Sequence, residues 1–216
     1  MTLSYDLYWS FRSPYSYLVT HRLVALEREF DVAGRIRPVY PLAVRTPEFF
    51  ETRDLLWFSY LQLDIRREAE FLGQTIRWPR PDPVKMDFAT RTYPKDQPHI
   101  HRLTQLGVAA AERGRGLQYL DEVSRLIWNG QVDDWHEGDH LDQAAARAGL
   151  DPADLAACVA AESERLHGVI EESQIAQRDA GHYGVPMIVF GGEPFFGQDR
   201  FDQFKWRLTQ RGLAAR

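Results

Sequence analysis

Apolar positions along this chain follow two periods, and the points where the period changes divide it into elements. Residues 5–11 are rich in aromatic and aliphatic side chains and read as a buried strand, which the Ser13-Pro14 step breaks. Residues 15–30 are helical in spacing, with Leu18, Val19, Leu23, Leu26 and Phe30 able to share one face. Pro14 suits the first turn of that helix, because its missing N–H would have no intrahelical partner there. Ser13 is then the N-cap, its hydroxyl at a strand end and at the positive pole of a helix dipole. Gly34 closes the next turn and residues 35–41 alternate as a second strand, kept short by Pro38 and Pro41. A right-handed crossover makes these strands a parallel pair.

Residues 43–149 change to helices and proline-rich loops. Helical patterns cover 47–72 (apolar candidates Phe49, Phe50, Leu55, Leu56 and Leu63), 90–113, 117–128 and 141–148, while three prolines in 78–84 exclude a helix there. Asp151-Pro152 starts a further helix that runs to residue 180, where Gly181 stops it. Residues 183–190 form a strand entered through Val185-Pro186, Gly191-Gly192 turns the chain, and 193–196 returns it. Gly197-Gln-Asp-Arg200 opens the last helix. The order β-α-β, helical block, α-β-β-α predicts an α/β, thioredoxin-like fold with a helical insertion domain. Its parts are residues 1–42, 43–149 and 150–216. A proline just before the third strand is where that fold places a cis peptide.

Composition narrows the function. The 216 residues are 44% hydrophobic, enough for a sizeable core, and the net charge of -5 comes with no basic stretch, which argues against nucleic acid. No apolar run approaches membrane-spanning length, and the N-terminus lacks the order of a signal peptide, so a cytoplasmic protein without a membrane partner is expected. Cys158 is the single cysteine, which excludes an intramolecular disulfide and a Cys-x-x-Cys centre. Its small apolar neighbours at helical spacing mark it as a packed side chain rather than a reactive thiol. His136-Glu-Gly-Asp-His140 satisfies the H-E-x-x-H pattern, but that pattern binds zinc only inside a helix. Gly138 and Asp139 read as a loop and an N-cap, so no metal is expected. His99 and His101 read as surface residues.

Four stretches carry a resemblance: Tyr8-Trp-Ser-Phe-Arg-Ser-Pro-Tyr-Ser-Tyr-Leu18, Ile76-Arg-Trp-Pro79, Gly184-Val-Pro186 and Phe195-Phe-Gly-Gln-Asp-Arg200. Together they resemble the 2-hydroxychromene-2-carboxylate isomerases. With the kappa-class glutathione transferases, these form a DsbA-like branch of the thioredoxin superfamily. The resemblance implies a homodimeric, glutathione-dependent isomerase acting on an aromatic keto acid. In that family the serine matching Ser13 replaces a nucleophilic cysteine and activates the glutathione thiol. A lone cysteine agrees with a thiol that arrives on a ligand. The resemblance further implies that Val185 and Pro186 pair with the cysteinyl part of glutathione, and that Gln198 and Asp199 hold its γ-glutamyl end. Where the family shows Lys and then Asn after the second strand, this chain offers Arg45, and Lys85 stands where Asn is common.

The family reaction is a cis–trans change in a conjugated aromatic acid, and such a substrate asks for an apolar pocket with few polar anchors. Trp57, Phe58, Trp78, Phe88, Trp128 and Trp135 are the candidate walls, two or three of them facing the ligand. Tyr15, Arg45 and Trp78 are the candidate substrate contacts. Two alternatives stand beside the isomerase: a kappa-like transferase or peroxidase on the same glutathione site, and a non-catalytic thioredoxin-fold binding protein.

Overall fold

A computed structural model of the chain describes residues 2–87, 90 and 92–216. Strand β1 (Leu3–Trp9), helix α1 (Pro14–Glu29) and strand β2 (Val32–Pro38) form the expected β-α-β unit, with β1 and β2 parallel. Helices α2 (Leu42–Arg45), α3 (Glu48–Glu51), α4 (Leu55–Phe71), α5 (Pro98–Glu112), α6 (Gly116–Trp128) and α7 (His140–Arg147) follow. Then come α8 (Pro152–Asp179), β3 (Met187–Phe190), β4 (Glu193–Phe196) and, through a 3-10 turn at Gln198–Arg200, α9 (Phe201–Gln210). The sheet order is β2-β1-β3-β4, with β3 antiparallel to both neighbours.

Alternation along β1 sends its residues to two layers. Tyr5, Leu7 and Trp9 join the main core with Leu18, Leu23 and Phe204 from α1 and α9. Tyr8 faces the other way and packs with Val39, Met187 and the alanines at the end of α8. The main core also takes in Leu103, Leu120 and Trp128 from α5 and α6, so one apolar core runs from the sheet into the helical block.

Four sequence expectations change. Gly34 does not close a turn but lies within β2, which begins at Val32. A Cβ there would come within 2.7 Å of the Tyr5 ring, and the Gly34 N–H donates to the half-buried Glu27 carboxylate at 2.6 Å. The helix expected over 47–72 is instead α3 and α4, separated where Asp54 caps α4 by accepting from the Leu56 N–H. Leu55, Leu56 and Leu63 are exposed rather than core; Ile65 and Ala69 supply the buried face of α4. The third strand starts only at Met187, after the 183–186 segment has turned toward α1.

Candidate functional site

Ser13 caps α1 as its sequence context demands. Its backbone is extended (φ -99°, ψ 115°), its Oγ accepts from the Ser16 N–H at 3.2 Å, and Pro14 takes the first helical position. The same hydroxyl donates to the Val185 carbonyl at 3.3 Å, across 172 residues of chain. The Val185–Pro186 peptide is cis, and Pro186 accepts from the Gly197 N–H at 2.9 Å. Ser13, the 185–186 step and the start of the last helix are thereby brought together. The neighbouring hydroxyls of Ser10 and Ser16 are buried with no hydrogen-bond partner among the described residues, whereas that of Ser13 reaches Val185.

On one side of this junction lies a polar cavity of about 420 Å³, lined by Tyr15, Asp64, Glu68, Val185, Gln198 and Asp199 among others. Tyr15 donates to Asp64 at 2.5 Å, and burial together with that carboxylate pushes its phenol well above the ordinary value. The Gln198 amide N–H donates to Glu68 at 2.6 Å, while its buried Oε1 has no partner among the described residues. Asp199 pairs with Arg200 at 2.7 Å. Asp64 is paired with Arg67 and Asp199 with Arg200, while Glu68 takes only the Gln198 amide among these contacts, so the carboxylate wall still suits an ammonium group. Sequence reasoning found Gln198 and Asp199 but missed Asp64 and Glu68. The available signal was their spacing of four on α4, which puts both on one helix face.

On the other side lies a cavity of about 980 Å³, walled by Phe50, Phe58, Leu61, Trp78, Val84 and Tyr93, with Arg12, Lys85 and His99 among its polar margins. Polar bonds behind the wall hold its shape. Asp82 accepts from Arg12 at 3.1 and 3.0 Å, from the Trp78 indole at 3.0 Å and from the Val84 N–H at 2.9 Å. Burial disfavours the Arg12 charge, but Asp82 more than compensates and leaves the guanidinium more basic than usual. The Arg12 guanidinium also lies 5.2 Å from the Trp78 ring centroid. Trp135 donates to the Pro81 carbonyl at 2.8 Å, and Trp128 to the Phe11 carbonyl at 2.9 Å.

Of the aromatic residues expected as walls, Phe58 and Trp78 line this cavity, whereas Trp128 and Trp135 are core. Trp57 packs on Phe49, Phe50 and Phe58, and Phe88 lies outside the described residues. Tyr15 stands in the polar cavity. Arg45 lines neither; it donates to Gln177 at 3.2 Å and to the Tyr183 carbonyl at 2.9 Å, bracing the segment that leads to Val185. Burial and the nearby Arg178 bring its pKa down to about 10. His99 and His101 are half-buried, not surface residues, and His99 reaches the apolar cavity. His136 to Asp139 is a turn with Gly138 at φ +58°, so its two imidazoles share no helix face, and Asp139 makes no side-chain cap bond. Cys158 is half-buried on α8 and packs against the core.

A model of the DSBA-like thioredoxin domain matches residues 5–209. The chain belongs to that family. Among solved structures it is similar to a 2-hydroxychromene-2-carboxylate isomerase, with TM-score 0.73 and 18% identity over 96% of this chain and 95% of the other. It is also similar to a probable DsbA oxidoreductase from Streptomyces coelicolor (TM-score 0.64, 18% identity, 96% and 89% covered). The cytosolic disulfide reductase DsbM from Pseudomonas aeruginosa follows at TM-score 0.61 and 17% identity, with 97% and 98% covered, and it has also been solved with GSH. At these identities the likeness is one of fold. No curated protein sequence matches the chain at a significant level. Among the described residues, no helix is long and apolar enough to cross a membrane.

Proposed function

We propose that this DsbA-like chain is a glutathione-dependent cis–trans isomerase of a conjugated aromatic keto acid. One observation carries the reading. Ser13 caps α1 and touches Val185 at 3.3 Å, while Arg12 lines the apolar cavity and Tyr15 the polar one. A thiol at Ser13 therefore has a peptide-sized polar cavity behind it and an aromatic-sized cavity in front.

The residues present suit glutathione. The Val185 backbone offers peptide hydrogen bonds, and the carboxylates of Asp64, Glu68 and Asp199 suit the γ-glutamyl ammonium. Gln198 has a buried acceptor beside them with no partner among the described residues. Bound glutathione supplies the thiolate that adds to, and later leaves, the conjugated double bond. Ser13 serves that thiolate by turning its hydroxyl from Val185 to donate, with the α1 dipole adding to the field. Thiol pKa values at helix N-termini fall from about 8.5 to about 3.5–7.5. Each unit is about 1.4 kcal/mol of thiolate stabilisation. Trp78 and Phe58 offer the flat apolar surface an aromatic substrate needs.

Dithiol chemistry of the kind named for the disulfide reductase relative has no counterpart here, because the sequence has a single cysteine and it lies on α8. Calorimetry with glutathione, followed by an isomerisation assay on benzylidenepyruvates, tests the reading. Absence of binding at millimolar glutathione removes it. Binding with conjugate formation but no isomerisation replaces it with a kappa-like transferase.

A further inference from the structure

We propose that His99 donates the hydrogen bond that receives the carbonyl oxygen of a conjugated ligand in the apolar cavity, making it a catalytic residue. This rests on the isomerase reading for its reaction but on the cavity itself for its geometry. Of the other polar side chains at the cavity margin, Arg12 and Trp78 are bonded to Asp82, Arg80 and Lys85 form looser ion pairs with Asp133 (4.0 Å) and Asp96 (3.7 Å), and Gln62 lies exposed at the rim. His99 is half-buried and lines both this cavity and a smaller one that it forms with Trp135 and His136, and its ring makes aromatic contacts but no hydrogen bond among the described residues.

The imidazole is also held. His99 is the second residue of α5, and its ring packs edge-on against His136 (centroids 4.6 Å) and Trp135 (5.8 Å). Trp135 is itself tied to Pro81. Gln97, 1% exposed, bonds the Lys85 N–H at 2.7 Å and the Lys85 and Pro94 carbonyls at 2.9 Å. That clamp fixes the start of α5 against the cavity wall. Burial, His136 and Lys85 hold His99 below the ordinary histidine value, so at neutral pH it is an uncharged imidazole with one N–H to give. A pre-oriented donor at the margin of an apolar cavity opposes the negative charge that grows on a ketone oxygen as its conjugated system is attacked.

The test uses NMR of imidazole nitrogens in the full chain, without glutathione, titrated with benzylidenepyruvate to saturation of the tryptophan fluorescence change; His99→Gln assigns the resonance. The expected result is a shift of the His99 signal on saturation. In the glutathione-loaded assay, His99→Phe is expected to lower kcat about 100- to 1,000-fold, as loss of one oxyanion donor does, with KM changed less than about threefold. An unmoved His99 resonance, or a His99→Phe kcat within about threefold of the parent, overturns the proposal. A responding His99 in a protein that fails to bind glutathione supports this inference and rejects the isomerase reading.

Discussion

Replacing Asp82 tests whether the cavity wall is held by buried polar bonds. Its carboxylate takes four hydrogen bonds, two of them from Arg12, and the two side chains are only 14% and 23% exposed. Asp82→Ala removes all four and leaves a guanidinium in a low-dielectric site. Breaking a fully buried pair costs about 3–5 kcal/mol, and partial access of water lowers this to about 2–4 kcal/mol. For a chain of 216 residues that is a fall in Tm of about 4–16 °C, at about 2–4 °C per kcal/mol. Urea denaturation followed by circular dichroism measures the loss. Arg12→Met removes the buried charge together with its partner's need, so the double variant should be no less stable than Asp82→Ala alone. A loss below about 1 kcal/mol, or strictly additive single variants, would refute the reasoning.

Gly34→Ala should destabilise by about 1–3 kcal/mol, since its Cβ meets the Tyr5 ring at 2.7 Å and Glu27 at 3.0 Å; denaturant midpoints check this. Asp6 gives a pH-dependent term. Burial raises its pKa, but hydrogen bonds from Arg35 and Arg37 outweigh this and hold it below the ordinary carboxylate value. A lowered native pKa adds stability above the unfolded value of about 3.9 and loses it as pH falls through the native one. Asp6→Asn should therefore flatten the stability profile below about pH 4, and an unchanged acid limb would show that the bridge contributes nothing. Glu68→Ala should weaken glutathione binding by about 1.5–3 kcal/mol, read by calorimetry, since it removes a carboxylate from the polar cavity and frees the Gln198 amide.

The parts of the fold readable in the sequence are those set by local chemistry. Ser13-Pro14, Asp151-Pro152 and the Gly191-Gly192 turn carry their geometry in adjacent residues, and each appears as read. Contacts between distant segments were not readable. Arg12 and Asp82 meet across 70 residues, and Gln198 and Glu68 across 130. Gly34 illustrates the same limit: a glycine after a helix suggests a turn, but its actual cause is Tyr5 and Glu27 pressing on β2. Apolar spacing also misled on α4, where Leu55, Leu56 and Leu63 share a face that is left exposed among the described residues. The aromatic residues divided by their indole N–H partners. Trp128 and Trp135 spend theirs on backbone carbonyls inside the core, and Trp78, bonded to Asp82, keeps its ring toward the cavity.

The central claim is that Ser13 stabilises the thiolate of a bound thiol. Absorbance near 240 nm reports thiolate directly, so a pH titration of glutathione bound to the parent chain and to Ser13→Ala measures the effect. The α1 cap term costs Ser13→Ala about 1 kcal/mol of stability and leaves it folded. The account predicts a bound thiol pKa below about 7.5 in the parent and a rise of about one unit or more, at least about 1.4 kcal/mol, in the variant. A bound thiol that titrates near 8.5 in both proteins would contradict it.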